Sequence, residues 1–548
     1  MLASLSFIVA MFGTMLLIPP LMRVATRLNI VDLPDPRKVH AMPVPRIGGV
    51  AMIAVAAALI LVWTPLTQAI RWYLVGVGII AAFGIWDDRS ELNYRLKFLG
   101  QLLAILCVVI GGGVVIHFVP FAGVDAVAAW ISIPLTVFAL LGITNAINLA
   151  DGLDGLAGGT TFISIAVIAM LAVMANDNTL LLLCSAILGS IVGFLRFNSH
   201  PAVVFMGDAG SQFLGFSAGV LVIILTQQSN PAMSPVIPLL ILGLPILDTL
   251  LVMGQRIYEG RSPFRPDKNH IHHRLLGLGF DQYEAVVIIY AIQSVMVTSA
   301  VLMRYESDAL NSMWFAGCCA GVLLFIRLAA RAGWRAHRLS QTDAQSPLAR
   351  FAERVKRTGL LVRVPLVYIG IAIPGYLLHV IWQAKGVPDD ALLTLAALLA
   401  VMVLLLFAER FRPWITVADR IVICTTITAG VYYGIDQSEG GQQLLTPENF
   451  VFVGLVVALF VLYRYSTRRN FKVSSMDFLV IFAVMVLPNL LGQYITQTRL
   501  SEVATKALLL YYGVEFAILQ FEGHTRWVRI AVVTVLTVFV SRLLLAPV

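Results

Sequence analysis

Long apolar runs separated by short polar loops dominate the chain. A membrane-spanning helix needs about 20 predominantly apolar residues, and the first 330 residues contain a series of runs that approach this length. These runs lie near 2–22, 47–66, 70–86, 99–119, 127–149, 158–175, 179–196, 212–228, 235–255, 283–303 and 312–330. Their succession predicts an all-α polytopic membrane protein whose core has about eleven transmembrane helices.

A second set of apolar runs follows a break in the pattern. Residues 331–364 are polar and basic and hold no run long enough to span a bilayer. About seven additional transmembrane helices are predicted beyond this break, near 365–385, 390–409, 418–435, 449–464, 475–495, 503–520 and 528–546. We therefore predict a membrane-embedded core over 1–330, a basic cytoplasmic linker over 331–364 and an additional transmembrane domain of unknown function over 365–548.

Composition and charge narrow the class of protein. Of the 548 residues, 59% are hydrophobic and 12% are charged, and the mean hydropathy is +0.88. The net charge of +8 is spread over many short loops, so we assign it to membrane topology and expect no nucleic-acid partner. The five cysteines lie inside apolar runs without ligand spacing, which indicates neither a disulfide framework nor a metal cluster.

The basic residues also predict which loops face the cytoplasm. The first run, Leu2 to Met22, has no basic start and no clear small-residue cleavage site, so we expect a retained helix. If its N-terminus is outside, alternate loops carry nearly all of the Lys and Arg residues of the first part, from Arg23 to Arg274. The same parity places every polar motif of the core on the cytoplasmic face.

The most polar of these motifs is NAINLADGLDGLAGG, from Asn145 to Gly159. Asp151 and Asp154 are three residues apart, so they would share one face if the segment were helical. Asn145 and Asn148 would add amide groups to the face of Asp151. Two carboxylates at the end of an apolar helix repel each other and are costly near a bilayer, so a ligand site is favoured over a structural pair.

Two further motifs supply carboxylates and a cation. Asp87 and Asp88 directly follow the third run, and Lys97 lies near the start of the next helix, where it could compensate their charge. The alternative is that the two aspartates only solvate a helix end. The first cytoplasmic loop is rich in proline and carries Arg46, which could meet anionic groups, although by itself a topogenic basic loop explains it as well.

The last two motifs suggest ligand binding at a helix start and in a loop. Asp208 lies between Gly207 and Gly210, just before a predicted helix whose amides could hold an anion; a simple N-cap is the alternative. The loop 256–280 contains a histidine cluster within basic residues, and because such a loop repels metal and attracts phosphate, we favour phosphate over zinc. Its candidate residues are Arg261, His270, His272, His273 and Arg274.

Acidic groups for a hard cation together with basic and imidazole groups for phosphates suit phosphoryl transfer on a nucleotide diphosphate. Five motifs resemble, in order, those of the polyprenyl-phosphate N-acetylhexosamine-1-phosphate transferases, which are of glycosyltransferase family 4 type. They are PRIGG (Pro45 to Gly49), the Asp87-Asp88 pair, NAINLADGLDGLAGG, PAVVFMGDAGS (Pro201 to Ser211) and SPFRPDKNHIHHRL (Ser262 to Leu275). The last is similar to that of the enzymes that start O-antigen, enterobacterial common antigen or teichoic acid on UDP-N-acetylglucosamine.

The resemblance covers about residues 1–330 and carries expectations about function. It implies transfer of a sugar 1-phosphate, in the first instance GlcNAc-1-phosphate, from a UDP-N-acetylhexosamine to undecaprenyl phosphate, with release of UMP. It implies Mg²⁺ as cofactor, with Mn²⁺ as an alternative ion, and a bacterial inner membrane with the active site on the cytoplasmic face. The role of the tail and an association into a homodimer are left open.

The resemblance also assigns provisional roles to residues. Asp208 is expected to bind magnesium, with Asp87 as a second ligand; Asp87 and Asp88 would lie by the lipid phosphate, with Lys97 beside them. Asn148, Asp151 and Asp154 would face the nucleotide, and the three histidines would contact phosphates. Because a phosphate monoester has a second pKa of about 6, we hypothesise that Asp87 or Asp88 positions the nucleophile more than it deprotonates it.

Three other functions compete with this interpretation. A transporter of phosphorylated sugars or lipid-linked sugars would use similar groups, but it predicts polar residues at mid-membrane depth in both halves. A CDP-alcohol phosphotransferase would carry Ala-Arg after the Asp-Gly pair, and this is missing after Asp151-Gly152. A purely structural scaffold would leave the carboxylates without a purpose.

Overall fold

The protein is described by a computed structural model. It describes residues 2–32, 43–121, 126–260, 270–336, 360–383, 389–407, 412–434, 447–465, 475–486, 500–520 and 526–545. The chain divides into two compact units, Met1–Leu339 with Ser474–Ala483, and Ser340–Val473 with Val484–Val548. Among the described residues, ten helices are long and apolar enough to cross a membrane, which confirms the all-α polytopic fold.

The first unit follows the predicted helices closely. Its helices are α1 (Leu2–Arg27), α2 (Gly48–Trp63), α3 (Gln68–Ser90), α4 (Tyr94–Leu106), α5 (Ala129–Ala150), α6 (Leu156–Met174), α7 (Asn178–Asn198), α8 (Gly207–Ile224), α9 (Ile237–Ile241), α10 (Gly243–Tyr258), α11 (Ile271–Gly277), α12 (Gln282–Leu302) and α13 (Asp308–Arg331). π-Helical turns extend α4 through Cys107–Gly111 and α8 through Leu225–Ser229.

The ninth predicted run is broken into α9 and α10. Pro245 has no backbone N–H, so it cannot continue the helix by bonding to the carbonyl of Ile241. That carbonyl instead accepts hydrogen bonds from Ser164 Oγ and Gln293 Nε2, both at 2.7 Å. The amide of Leu244 donates to Gln293 Oε1 at 3.1 Å. Polar side chains from neighbouring helices thus satisfy the groups that the break frees, as is usual inside a membrane.

The centre of the unit is formed by α6, α7 and α8, whose side chains are mostly buried. Helix α1 packs closely on α7 because Gly189 and Gly193 leave no side chain between the two backbones. A Cβ at these positions would lie 2.2 Å from the carbonyl oxygen of Phe7 and 2.5 Å from that of Met11. Small residues spaced by four are a common device for helix contact in membranes.

A short strand pair brings the first loop to the start of α8. β1 (Val31–Asp32) pairs antiparallel with β2 (Val44–Pro45), and Arg46 forms a parallel bridge with Phe205. The amides of Gly48 and Gly49 donate to the carbonyls of Phe205 and Met206, both at 2.9 Å. A Cβ on Gly49 would meet Gly210 Cα at 2.3 Å, so the PRIGG motif fits against α8 only because glycine stands there.

The second unit has its own apolar core. Its helices are α14 (Leu360–Gln383), α15 (Asp389–Phe407), α16 (Arg412–Gly434), α17 (Pro447–Tyr465), α19 (Leu500–Gln520) and α20 (Arg526–Leu545). Arg529 and Asp419 form a buried pair in which Nη2 and Oδ2 are 2.7 Å apart.

The helix α18 (Ser475–Ile481) belongs to the first unit, although it lies within the predicted C-terminal region. The extent of the predicted basic linker stays a prediction, because most of it lies outside the described residues.

Candidate active site

The start of α8 is fixed by a carboxylate from α3. Oδ1 of Asp88 accepts the backbone N–H of Asp208 at 2.8 Å, and Oδ2 accepts that of Ala209 at 3.3 Å. Gly207 has a φ of +70°, and a Cβ there would lie 2.4 Å from Oδ2 of Asp88. Glycine therefore allows both the turn and the close approach, and buried Asp88 caps the positive end of the helix.

Asp87, Lys97 and Asp208 form a charged cluster beside this cap. Asp87 is 2% exposed and accepts the backbone N–H of Leu92 on Oδ1 at 2.6 Å. Lys97, near the start of α4, pairs with Oδ2 of Asp87, and its Nζ lies 3.7 Å from Oδ2 of Asp208. The lysine thus lies between the two carboxylates, and its charge compensates part of theirs, as the sequence suggested.

The end of α5 reaches the same cluster through one of its two asparagines. Asn148 Nδ2 donates to Asp208 Oδ1 at 2.9 Å and to Ser211 Oγ at 2.7 Å. Asn145 instead donates to Gln101 Oε1 at 2.9 Å and to the carbonyl of Leu141 at 2.9 Å. Asn148 therefore orients Asp208, whereas Asn145 ties α5 to α4 through Gln101.

Asp151 and Asp154 do not share a helical face, because α5 ends at Ala150 and α6 begins at Leu156. Oδ2 of Asp154 lies 2.7 Å from Nδ1 of His200 and accepts the backbone N–H of Ala202 at 3.1 Å. Asp151 is exposed at the surface of the structure. The protein packed around its carboxyl group nevertheless limits solvation of the charged form and raises the pKa of Asp151 to about 7. The carboxylates of Asp208 and Asp154 raise this pKa further, whereas Arg46 lowers it.

The raised pKa of Asp151 predicts a pH effect on stability. The folded chain holds this proton more tightly than the unfolded chain, so stability should fall as pH rises from about 4, the ordinary pKa of aspartate, to about 7. Asp151→Asn, which stays neutral, should flatten this fall when the Tm of the protein in detergent and EDTA is measured across that range. A variant whose Tm follows the wild-type curve at every pH would contradict the assignment.

Arg46 lies where β2 meets α8. It forms an ion pair with buried Asp32, and its charge is close enough to Asp151 to oppose the rise of its pKa. The PRIGG motif is thereby joined to the carboxylate cluster. Arg261 lies outside the described residues, so its predicted contact with substrate stays a prediction.

The histidine motif is held by an aspartate that the sequence analysis missed. Asp248 of α10 lies with Oδ2 2.8 Å from Nδ1 of His270, and its Oδ1 accepts the backbone N–H of Ile271 at 2.7 Å. The rings of His270 and His272 stack with centroids 5.7 Å apart. The available signal was an ionisable residue inside the predicted ninth span, since such residues are rare and mostly functional.

His272 connects this motif to the central stretch. A Cβ at position 152 would lie 2.5 Å from Nε2 of His272, so the imidazole occupies the space that Gly152 leaves. Burial lowers the pKa of His272 to about 4, and neighbouring His273 adds to the effect. At neutral pH His272 is therefore uncharged. Arg274 turns to Gln255, with Nη2 donating to Oε1 at 2.7 Å.

Asp248 should matter for activity through the histidines. In Asp248→Ala the amide of Ile271 and Nδ1 of His270 lose their buried partner, so α11 should shift against Gly152. We expect the kcat/KM of the enzyme to fall roughly 10- to 100-fold, a loss typical of residues that orient a site from behind it. The matched control is Gln293→Leu, which also frees a buried amide of α10 but touches none of the histidines. An equal loss of kcat/KM in both variants would mean that Asp248 only supports α10 and does not act through the histidines.

Taken together, the described motifs converge. Asp87, Asp88, Lys97, Asn148 and Asp208 form one bonded cluster. The charges of Asp208, Asp154 and Arg46 all act on Asp151. Asp151 and Asp154 lie in the turn between α5 and α6, and His272 packs against Gly152 of that turn. Amide, carboxylate, ammonium and imidazole groups from five separate segments meet at helix ends. Such an arrangement can bind and orient phosphate groups and a hard cation.

Comparison with known proteins agrees with this arrangement. Residues 70–226 match the family model described as glycosyl transferase family 4. A protein of Bacillus subtilis (strain 168), named probable undecaprenyl-phosphate N-acetylglucosaminyl 1-phosphate transferase, is 39% identical over 301 residues, which are 55% of this chain and 84% of that protein.

Two enterobacterial proteins are similar at lower identity. Both are named undecaprenyl-phosphate alpha-N-acetylglucosaminyl 1-phosphate transferase. The one from Yersinia pestis is 29% identical over 51% of this chain and 78% of its own length. The one from Escherichia coli (strain K12) is 29% identical over 52% of this chain and 79% of its own length. By its five motifs, their convergence and these relatives, the chain belongs to glycosyl transferase family 4, the polyprenyl-phosphate N-acetylhexosamine-1-phosphate transferases.

Proposed function

We propose that this protein transfers GlcNAc-1-phosphate from UDP-GlcNAc to undecaprenyl phosphate and releases UMP. The observation that carries the proposal is the convergence of Asp88, Lys97 and Asn148 on Asp208 at the start of α8. The names of the relatives support the acceptor and the transferred group, because those proteins are named for undecaprenyl phosphate and an N-acetylglucosaminyl 1-phosphate group. The product would begin a cell-envelope polysaccharide, of which O-antigen of lipopolysaccharide is one example.

The proposed chemistry is one displacement at phosphorus. An oxygen of the lipid phosphate attacks the β-phosphorus of the sugar nucleotide and forms the new diphosphate linkage. The bond from that phosphorus to the oxygen bridging the two phosphates breaks, and the oxygen leaves with UMP. The protein has to align the lipid phosphate with the β-phosphate of the donor and to offset their negative charge. Lys97 and Arg46 provide positive charge for this purpose.

A carboxylate base is unnecessary in this scheme. The second pKa of a phosphate monoester is about 6, so the lipid phosphate is mostly a dianion at neutral pH. Both oxygens of Asp88 already accept backbone N–H groups of α8, which favours a role in building the site. We therefore propose that Asp88 positions Asp208 and the phosphate-binding end of α8.

The donor set suits magnesium with Asp208 as the main protein ligand. Magnesium commonly uses one or two carboxylates and completes its shell with water and substrate phosphates. The Asp208 side chain is 25% exposed, whereas that of Asp87 is 1% exposed and paired with Lys97. Asp208 is thus open to an ion, and Asp87 is the less accessible of the two predicted ligands. Bound there, the ion would neutralise phosphate charge; Mn²⁺ has similar ligand preferences.

On the nucleotide side we propose Asp151, Asp154 and the histidine motif. His272 is uncharged at neutral pH, so it would donate a hydrogen bond to a phosphate oxygen rather than supply charge. The distribution of Lys and Arg supports a site on the cytoplasmic face of a bacterial inner membrane, where UDP-sugars are made.

The donor specificity is testable with purified protein. Full-length protein with undecaprenyl phosphate and magnesium should release UMP from UDP-GlcNAc faster than from the other members of a UDP-hexosamine and UDP-hexose panel. Omission of the lipid phosphate, or addition of EDTA, should abolish the release. Absence of UMP from every donor, in protein that retains its fold by thermal unfolding, would contradict the proposal.

A further inference from the structure

One helix of the C-terminal tail is part of the catalytic unit. Helix α18 (Ser475–Ile481) packs on α6 and α12 within the first compact unit. Its Phe478 faces Tyr290 of α12, with ring centroids 5.8 Å apart and ring planes inclined by 50°. Aromatic rings at this separation attract each other beyond the burial of their surface.

Tyr290 in turn holds the backbone of the central motif. It is fully buried, and its hydroxyl donates to the carbonyl of Gly155 at 2.6 Å. The hydroxyl fits because Gly159 has no side chain: a Cβ there would lie 1.9 Å from the Tyr290 oxygen. The glycine at position 159 is thus explained by the position of Tyr290.

Gly155 closes the turn that carries the two carboxylates. It has a φ of +79°, the left-handed conformation that glycine adopts readily. Its N–H donates to Asn198 Oδ1 at 2.9 Å, and its carbonyl is bonded to Tyr290. The peptide before Gly155 is therefore held by Asn198 and the peptide after it by Tyr290, and together they set the direction in which Asp154 leaves the turn toward His200.

These contacts form a continuous path from the tail to the site. It runs from the Phe478 ring to Tyr290, from the Tyr290 hydroxyl to Gly155, and along the backbone to Asp154. The B. subtilis relative matches this chain over only 55% of its length and is itself covered to 84%. Almost half of this chain therefore lies outside that alignment.

We propose that Phe478 is a positioning residue for sugar-nucleotide binding, supplied to the site by the tail. It restricts the Tyr290 ring, and through the Gly155 carbonyl it fixes the 151–155 turn in the shape that accepts the donor. The inference rests on the proposed function, because the affected ligand is the donor nucleotide of that reaction. It gives part of the 365–548 region a role in catalysis.

The expected effect of Phe478→Ala is on donor affinity. Removing the ring leaves space beside Tyr290, so the Tyr290 hydroxyl should hold Gly155 less often. We expect KM for UDP-GlcNAc to rise about fivefold, in the range that one weakened hydrogen bond or aromatic contact produces. KM for undecaprenyl phosphate should stay within about twofold, because Asp87, Asp88 and Lys97 have no part in this path. Phe478→Tyr keeps the ring and should restore the wild-type KM.

The matched control is Phe482→Ala. Phe482 lies on the same tail segment and is 1% exposed, so its truncation should cost at least as much stability as that of Phe478. We expect it to lower Tm without a selective rise of the donor KM. A rise in the donor KM as large as that in Phe478→Ala would overturn the proposal, since support by the helix as a whole would then explain both.

A double-mutant cycle tests the path itself. Tyr290→Phe removes only the hydroxyl that holds Gly155, and it should also raise the donor KM about fivefold. If Phe478 acts through Tyr290, the double variant should resemble Tyr290→Phe alone, since coupled residues are not additive. Multiplied effects, or a wild-type donor KM in Phe478→Ala while wild-type protein releases UMP, would overturn the inference and leave the proposed function standing. No UMP from wild-type protein would instead count against the proposed function.

Discussion

Asp208→Asn is expected to lower kcat by about 100- to 1000-fold, the loss typical of removing a group that stabilises transition-state charge. Asparagine keeps the size of the side chain and can still accept the hydrogen bond from Asn148, but it carries no charge to hold a cation or balance Lys97. If Asp208 holds magnesium, as we propose, the magnesium concentration needed for half-maximal activity should rise, and excess magnesium should restore part of the activity. Initial rates of UMP release over a magnesium titration measure both effects.

Asp177→Asn is a suitable control for this substitution. Asp177 is also a carboxylate at a helix start, where Oδ1 accepts the backbone N–H of Leu180 at 2.9 Å, but it lies at the beginning of α7, away from the motif cluster. We expect a change of less than about twofold in kcat, because the loss of a helix cap acts on stability. The metal assignment fails if Asp208→Asn binds magnesium as the wild type does and no magnesium concentration recovers activity.

Asp88→Asn is expected to lower kcat by about 100-fold with little change in the shape of the pH-rate profile. The amide offers one oxygen where the carboxylate offers two, so its NH₂ group would face an N–H at the start of α8. The first turn of α8 should therefore shift, and with it Asp208. Thermal unfolding should show the loss of a cap, about 0.5–2 kcal/mol.

Asp281→Asn separates this effect from capping in general. Asp281 caps α12 through a capping box with Glu284, so the variant should lose similar stability while keeping most of its activity. If Asp88→Asn loses an acidic limb of the pH-rate profile in the carboxylate range, with magnesium affinity intact, then Asp88 acts as a base and the positioning role is wrong.

The helical architecture could be predicted from the sequence because hydropathy alone decides it. Every predicted span of the core corresponds to helical structure, and the fold class is confirmed. The break between α9 and α10 was not predicted. It depends on Gln293 and Ser164 meeting the freed carbonyl of Ile241, and these partners are distant in sequence.

The site was predicted less completely than the helices. Their places at the ends of apolar runs made Asp87, Asp88 and Asp208 candidate site residues from the sequence, and their mutual contact is a finding of the structure. Asp151 and Asp154 do not lie on a helix, because Gly152 and Gly155 favour a turn. These two glycines could have predicted the turn from the sequence. Asp248 was overlooked because it lies within an apolar run without a neighbouring motif.

The tail illustrates what a linear pattern does not contain. The run at 475–495 was predicted as one more span of a separate region, whereas Ser475–Ile481 packs with the catalytic unit. Nothing in the residues around Phe478 indicates a partner in α12. Such a contact arises from tertiary packing, which hydropathy does not specify.

The fate of the two phosphorus atoms of the donor tests the central claim most directly. UDP-GlcNAc labelled with ³²P at either the α or the β position would be incubated with the protein, undecaprenyl phosphate and magnesium, followed by extraction into organic solvent. We predict that the β label moves into the lipid fraction while the α label stays in water as UMP. Retention of both labels in the aqueous phase while sugar enters the lipid, or no lipid product at all, would contradict transfer of a sugar 1-phosphate.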